Sequence, residues 1–208
     1  IGELLSREEG KTLPEGIGEV ARAGQQFQYY GAECLRMAGE KIPSTRPGFQ
    51  VEITREPIGI IGIISPWNFP IAIPAWKAAP ALMCGNAVIL KPASLTPASA
   101  IALTEIIDKQ DLPAGLFNLV IGSGSGIGNQ IATNPDIPAI TFTGSVEVGK
   151  SLYADASPLL KKMQMEMGSK NPLVVLDDAD LSTAISCAAN GAYGGTGQKC
   201  TASSRIIV

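Results

Sequence analysis

Apolar positions along this chain follow two rhythms. Between 14 and 38 they recur at helical spacing, with Ile17, Val20, Ala21, Gly24, Phe27 and Tyr30 near one stripe and Gly39 as a stop. This predicts a long amphipathic helix. Between 41 and 57 the chain has short β-capable runs broken by Pro43, Pro47 and Gly48. Phe49, Val51 and Ile53 alternate there with polar neighbours, which predicts a hairpin. From 58 onward, continuous apolar runs alternate with helical segments. Strands are predicted at 58–64, 87–90, 117–120 and 139–142, and helices near 71–83, 98–109, 126–133 and 146–156. Apolar runs without polar alternation suit parallel strands covered on both faces. The pattern predicts an α/β fold, a Rossmann-like doubly wound parallel sheet with helices on both faces. Strands at 163–166 and 173–176, and a helix over 182–193 capped by Asp180, complete the pattern.

Composition narrows the possibilities. The 208 residues can bury a sizeable core. Charged residues are only 17%, hydrophobic ones 45%, and the mean hydropathy is +0.19. Part of that apolar surface is expected to meet protein outside this chain. A net charge of −3 without a basic stripe argues against nucleic acid and anionic membranes as partners. No apolar run reaches the length of a membrane span. The amino terminus has neither an initiator methionine nor signal-peptide character, so the chain is expected to be part of a longer one. Histidine is absent, and Cys34, Cys84, Cys187 and Cys200 match no zinc spacing, so no metal site is expected. Cys34, Cys84 and Cys187 read as buried free thiols, which suits a reducing cytoplasm.

Two segments carry weak phosphate-binding signals. Gly122, Gly124, Gly126 and Gly128 follow a predicted strand but lack the GxGxxG spacing, so a flexible loop is an equal reading. Thr143-Gly144-Ser145 joins a strand to a helix, whose N-terminus would offer backbone N–H groups to a phosphate; an ordinary Ser-capped turn remains the alternative.

Taken together, four motifs are more specific: Ser65-Pro66-Trp67-Asn68-Phe69-Pro70, Leu90-Lys91-Pro92-Ala93-Ser94, Phe142-Thr143-Gly144-Ser145, and Glu166 followed by Gly197-Gln198-Lys199-Cys200-Thr201. In this order they resemble the NAD(P)-dependent aldehyde dehydrogenase superfamily along essentially the whole chain. The wording around Cys200 is similar to that of α-ketoglutaric semialdehyde dehydrogenases.

The resemblance implies a catalytic set of Cys200 as nucleophile, Asn68 as oxyanion donor, Glu166 as general base and Lys77 as a proton-relay assistant. Without histidine, thiol activation falls to backbone dipoles, the cofactor's positive ring or a nearby base. Met165 and Met167 flank Glu166 and are expected to desolvate it partly. The cofactor, NAD or NADP, is implied to lie against Ser65, Pro66, Trp67, Lys91, Ser94, Gly124, Gly128, Phe142, Thr143, Gly144, Ser145, Val148, Glu166, Met167 and Gly168. Lys91 would bond the adenosine ribose, and Trp67 and Ser145 the pyrophosphate. Ser94 stands where many NAD-preferring relatives carry glutamate, so the 2′-phosphate of NADP meets no carboxylate.

The implied reaction is oxidation of a small aldehyde to a carboxylic acid through a thiohemiacetal and thioester on Cys200. The implied division is a cofactor domain at 1–166, with an oligomerisation hairpin at about 41–57, and the opening of a catalytic domain at 167–208. A homodimer or homotetramer would follow for the longer protein, and negligible activity for these residues alone. Each residue also has a plainer reading: a structural cysteine, a turn asparagine, an exposed glutamate, a snorkelling lysine. A catalytically silent nucleotide-binding module, an interaction protein with an idle cysteine, and an acyl-phosphate reductase of related fold stay open.

Overall fold

The computed structural model describes residues 1–208. Two helices lead the chain, α1 (Gly2–Glu9) and α2 (Leu13–Glu33), followed by a short 3₁₀ turn (Cys34–Arg36). Strands β1 (Glu40–Pro43) and β2 (Gln50–Ile53) form an antiparallel hairpin with every strand residue exposed. The chain then alternates β3 (Ile60–Ile64), α3 (Ala72–Met83), β4 (Ala87–Lys91), α4 (Pro97–Asp108), β5 (Phe117–Leu119), α5 (Asn129–Thr133), β6 (Ala139–Gly144), α6 (Val146–Ala156) and β7 (Lys162–Met167). The remainder is β8 (Asn171–Val174), α7 (Leu181–Tyr193) and β9 (Ser203–Ile207).

Five strands form one fully parallel sheet in the order β5-β4-β3-β6-β7. The order reverses direction between β3 and β6, the doubly wound arrangement expected from the apolar runs. The central strands bury Ile63, Val88, Leu90 and Ile140 almost completely, and Leu152 and Ala156 of α6 pack on one face. Gly149 permits that close approach, because a Cβ there would meet the Met167 sulfur at 2.6 Å. β8 and β9 pair with each other in a separate two-stranded parallel sheet.

Three expectations need correction. The inward face of α2 is Gly16, Glu19 and Ala23, whereas Ile17 is 54% exposed. A buried carboxylate occupies the middle of the helix face, while Val20 and Phe27 of the expected stripe pack against the core beside it, so that stripe is only partly inward. The glycine-rich segment begins with a π-turn over Gly124–Gly128, and regular helix starts only at Asn129. Cys34 and Cys187 are exposed and Cys84 is half-buried, so none of them is a core thiol.

The leading helices cap the helices of the main sheet. Glu8 accepts the Ala98 and Ser99 N–H groups at 2.6 and 2.9 Å and the Ser99 hydroxyl at 2.6 Å, closing the start of α4. Ser99 is fully buried. Glu8→Ala is therefore expected to lower unfolding free energy by about 1–3 kcal/mol, the cost of unpartnered buried donors. Urea unfolding of the whole protein measures it, and a change within error would mean that water replaces the carboxylate.

Candidate active site

The carboxyl edge of a parallel sheet gathers loops, and here it gathers nearly all of the chemistry. Ser65, Pro66, Trp67 and Asn68 leave β3, Lys91 ends β4, Thr143 and Gly144 end β6, and Glu166 and Met167 end β7. Because strand order reverses between β3 and β6, the loops after them diverge and leave a crevice, the usual ligand position in such sheets.

Two adjoining clefts open there. One, of about 390 Å³, is lined by Pro66, Trp67, Asn68, Thr143, Gly144, Ser145, Met167, Gly168 and the 197–200 turn. The other, of about 490 Å³, includes Trp76, Lys77, Thr141, Gln164 and Glu166. Cys200, Ile73 and Thr143 line both, so the thiol sits at their junction.

Local backbone places that thiol. Gly195, Thr196 and Gly197 have φ values of 59°, 58° and 72°, and a Cβ at Gly197 would meet the Ala192 carbonyl at 2.8 Å. This left-handed stretch turns the chain sharply off α7, and only glycine adopts it freely at 195 and 197. Asn171 at the start of β8 donates to the Cys200 carbonyl at 2.7 Å. The Cys200 N–H has no partner within the chain. Asn68 donates one amide hydrogen to the Gln198 carbonyl at 2.9 Å, which leaves its second hydrogen free in the same cleft.

Lys77 projects from α3 toward the strand ends. Its ammonium donates to Thr141 Oγ1 at 2.7 Å and Gln164 Oε1 at 2.9 Å. Gln164 Nε2 in turn donates to Glu166 Oε1 at 3.0 Å, and Thr141 also bonds Gln164 Oε1. Gln164 thus links the lysine to the carboxylate. Burial pushes the Lys77 ammonium down to about 8, and the Glu166 carboxylate opposes this only in part. Gln164 and Thr141 escape sequence reading. The available signal was the parallel register, which sets Thr141 beside Gln164 and Thr143 beside Glu166 on one face.

Met165 and Met167 do not shield Glu166. Strand alternation turns them to the opposite face, where they pack under α6, and Glu166 is exposed. Phe142 is 2% exposed and belongs to the core, so its side chain does not line the crevice.

The remaining predicted residues lie around the crevice. Lys91 is 4% exposed, donates only to the Pro92 carbonyl at 3.0 Å, and is pushed below the ordinary lysine value by burial. Gly128 lies against its stem. Ser94 donates to the Gly122 carbonyl at 3.2 Å, which ties the β4 loop to the glycine-rich segment containing Gly124. Ser145 caps α6 by accepting the Val148 N–H at 3.2 Å. Ser65 Oγ and Asn68 Oδ1 are buried without a partner; of the two residues, Asn68 lines the crevice and Ser65 follows the end of β3.

Fold and crevice together define an α/β domain of the dinucleotide-cleft type that presents a cysteine where two clefts meet. The model of the aldehyde dehydrogenase family matches residues 1–208, and the chain belongs to that family. It is 48% identical over its whole length to the α-ketoglutaric semialdehyde dehydrogenase of Bacillus subtilis, of which it covers 43%. Among solved structures, an Escherichia coli NADP-dependent enzyme superposes with a TM-score of 0.96 at 38% identity, over 99% of this chain and 43% of that one. Betaine aldehyde dehydrogenase of Staphylococcus aureus in complex with NAD+ superposes at 0.97 with 35% identity, over 99% and 41%. The chain therefore spans less than half the length of these relatives. No helix is long and apolar enough to cross a membrane.

The displaced Lys77 ammonium has a consequence for stability. It loses its proton near 8 in the native state, while an unfolded lysine holds its proton to about 10.5. Between those values the unfolded state binds more protons, so stability rises with pH. Wild type is expected to gain stability relative to Lys77→Met as the pH is raised from about 7 to about 10. Urea midpoints of both proteins across that range provide the check; a constant difference would show that the ammonium is not desolvated.

Proposed function

We propose that the whole protein oxidises an aldehyde to a carboxylic acid with NAD+ or NADP+, using Cys200 as the nucleophile. The observation that carries this reading is the position of Cys200 at the junction of two clefts, one with Asn68 and the β6–α6 turn, the other with Glu166 and Lys77. The crevice fits a dinucleotide. It lies at the switch point of the sheet, includes Asn68 with its Oδ1 unpartnered, and offers the α6 N-terminus at Ser145 with Val148 in its first turn. Pro66, Trp67, Lys91, Ser94, Thr143, Gly144, Met167 and Gly168 would hold it. The absence of a carboxylate at Ser94 supports acceptance of either dinucleotide. When bound, the dinucleotide supplies the hydride acceptor.

The chain's own groups supply the rest. The Cys200 thiolate adds to the aldehyde carbon. The free amide hydrogen of Asn68 and the unpartnered Cys200 N–H stabilise the oxygen as it becomes negative; one such donor is typically worth roughly 3–4 kcal/mol of barrier. Glu166 takes a proton from the water that cleaves the thioester. Lys77, through Gln164, fixes the carboxylate's orientation. A division into a cofactor domain at 1–166 and the start of a catalytic domain at 167–208 is supported by the separate pairing of β8 and β9, although β7 runs on to Met167.

We take the substrate to be a semialdehyde with an anionic tail, with α-ketoglutaric semialdehyde as the particular case. Similarity to the Bacillus subtilis enzyme supports this. Glu166, as a water-activating base, favours hydrolysis over the reductive chemistry of an acyl-phosphate reductase.

Two substitutions separate the steps. Cys200→Ala in the whole protein is expected to abolish turnover while dinucleotide binding, followed by fluorescence, survives. Glu166→Gln is expected to keep a burst of reduced cofactor while the steady-state rate falls by about 10²–10⁴-fold. Normal steady-state turnover in either variant removes that residue from its role.

The β1–β2 hairpin is proposed as a subunit contact. It exposes Ile42, Phe49, Val51 and Ile53, and an open edge of this kind pairs readily with another chain. Val51→Lys is expected to lower the mass measured by light scattering after size exclusion. An unchanged oligomer would make the hairpin a surface flap.

A further inference from the structure

One ion pair lies outside the roles assigned above and is almost wholly buried. The Lys11 ammonium and Glu19 carboxylate approach to 2.6 Å, with side chains only 5% and 3% exposed. Burying two charges is unfavourable unless further hydrogen bonds satisfy them. All of those further bonds go to one short segment, residues 68–72. Glu19 Oε1 accepts the Ile71 and Ala72 N–H groups, both at 3.0 Å, at the start of α3. Lys11 donates to the main-chain carbonyl of Asn68 and lies over the Phe69 ring, 3.8 Å from its centroid.

The same end of α2 also reaches the nucleophile turn. Glu15 accepts the Gly195 N–H at 2.9 Å, in the left-handed stretch that precedes Cys200. Hydrogen bonds from Thr12 hold the Glu15 carboxyl below the ordinary carboxylate range, with the Gly195 N–H contributing. Lys11 and the first two turns of α2 thus grip both segments that would form the oxyanion hole.

We propose that Lys11 and Glu19 are positioning residues for the oxyanion hole. This rests on the role given to Asn68 in the proposed function. Lys11 fixes the Asn68 carbonyl, Glu19 fixes the helix start just beyond it, and the Asn68 side chain between these anchors is tied to Gln198. The amide hydrogen meant for the substrate is held from three sides before any substrate arrives. A loss of that alignment is expected to act on the oxyanion and to leave dinucleotide binding and thiol reactivity alone.

The test uses the whole protein with Lys11→Met and Glu19→Gln combined. The pair of changes removes both charges together and keeps an acceptor for the α3 N–H groups. The expected result is a fall in kcat of about 100-fold, the scale of a misplacement of about 1 Å at a reacting group. Cofactor affinity and the rate of Cys200 alkylation by iodoacetamide should stay near wild type. In an Asn68→Ala background the same pair should cause little further loss, since neighbours acting through one group are not additive. A normal kcat, or an undiminished loss in the Asn68→Ala background, overturns the proposal. If Asn68→Ala alone leaves kcat unchanged, the oxyanion assignment falls and the positioning role falls with it; a normal loss in Asn68→Ala beside a silent double change removes the positioning role alone. Lys11→Arg keeps the charges balanced while altering the contact at the Asn68 carbonyl. It gives the same comparison, with the same overturning results, where the paired variant does not fold.

Discussion

The reversal of strand order between β3 and β6 is the constraint on which the rest depends. Parallel strands in one sheet send their connections over one face or the other, and neighbouring strands whose connections part in opposite directions leave a gap at their carboxyl ends. That gap is set by backbone topology and needs no special residue. The side chains then divide the space. Residues after β3 line one wall, the β6–α6 turn forms another, and β7 brings its carboxylate to the rim. The thiol arrives on the turn between α7 and β9, outside the five-stranded sheet, and lines both clefts.

Much of this was legible from the order of residues, for a physical reason. Strands buried on both faces must be apolar throughout, so β3, β4 and β6 announce themselves. The helix expected over 146–156 is α6 as observed, because Ser145 supplies an unambiguous cap. The residues that meet in the clefts were named from motifs, yet Gln164 and Thr141 were not. They lie in two neighbouring strands, and their partnership exists only once β6 and β7 are in register.

Other features resisted reading because local pattern and tertiary context disagree. α1 buries only Leu5, too little to stand out from a polar stretch. The inward face of α2 matches its apolar stripe only in part, because it includes Glu19, and a carboxylate is assigned to solvent by default. The methionines beside Glu166 looked like a hydrophobic collar in one dimension, whereas a pleated strand sends them to the other side of the sheet. For Glu19 the missing information was a partner remote in the chain, the N–H groups of Ile71 and Ala72.

The hydrogen bond from Asn171 to the Cys200 carbonyl shortens a long road. Measured along the chain, base and nucleophile are separated by β8, a whole helix and a glycine turn. Measured through that bond, only Met167, Gly168, Ser169 and Lys170 intervene between Glu166 and the residue that holds Cys200. An extended chain gains at most about 3.5 Å per residue, so this tether sets an upper limit on how far the two groups can drift apart. Insertions within α7 or its flanking loops would lengthen the covalent route without touching the mechanical one. A single added residue among those four would do the opposite.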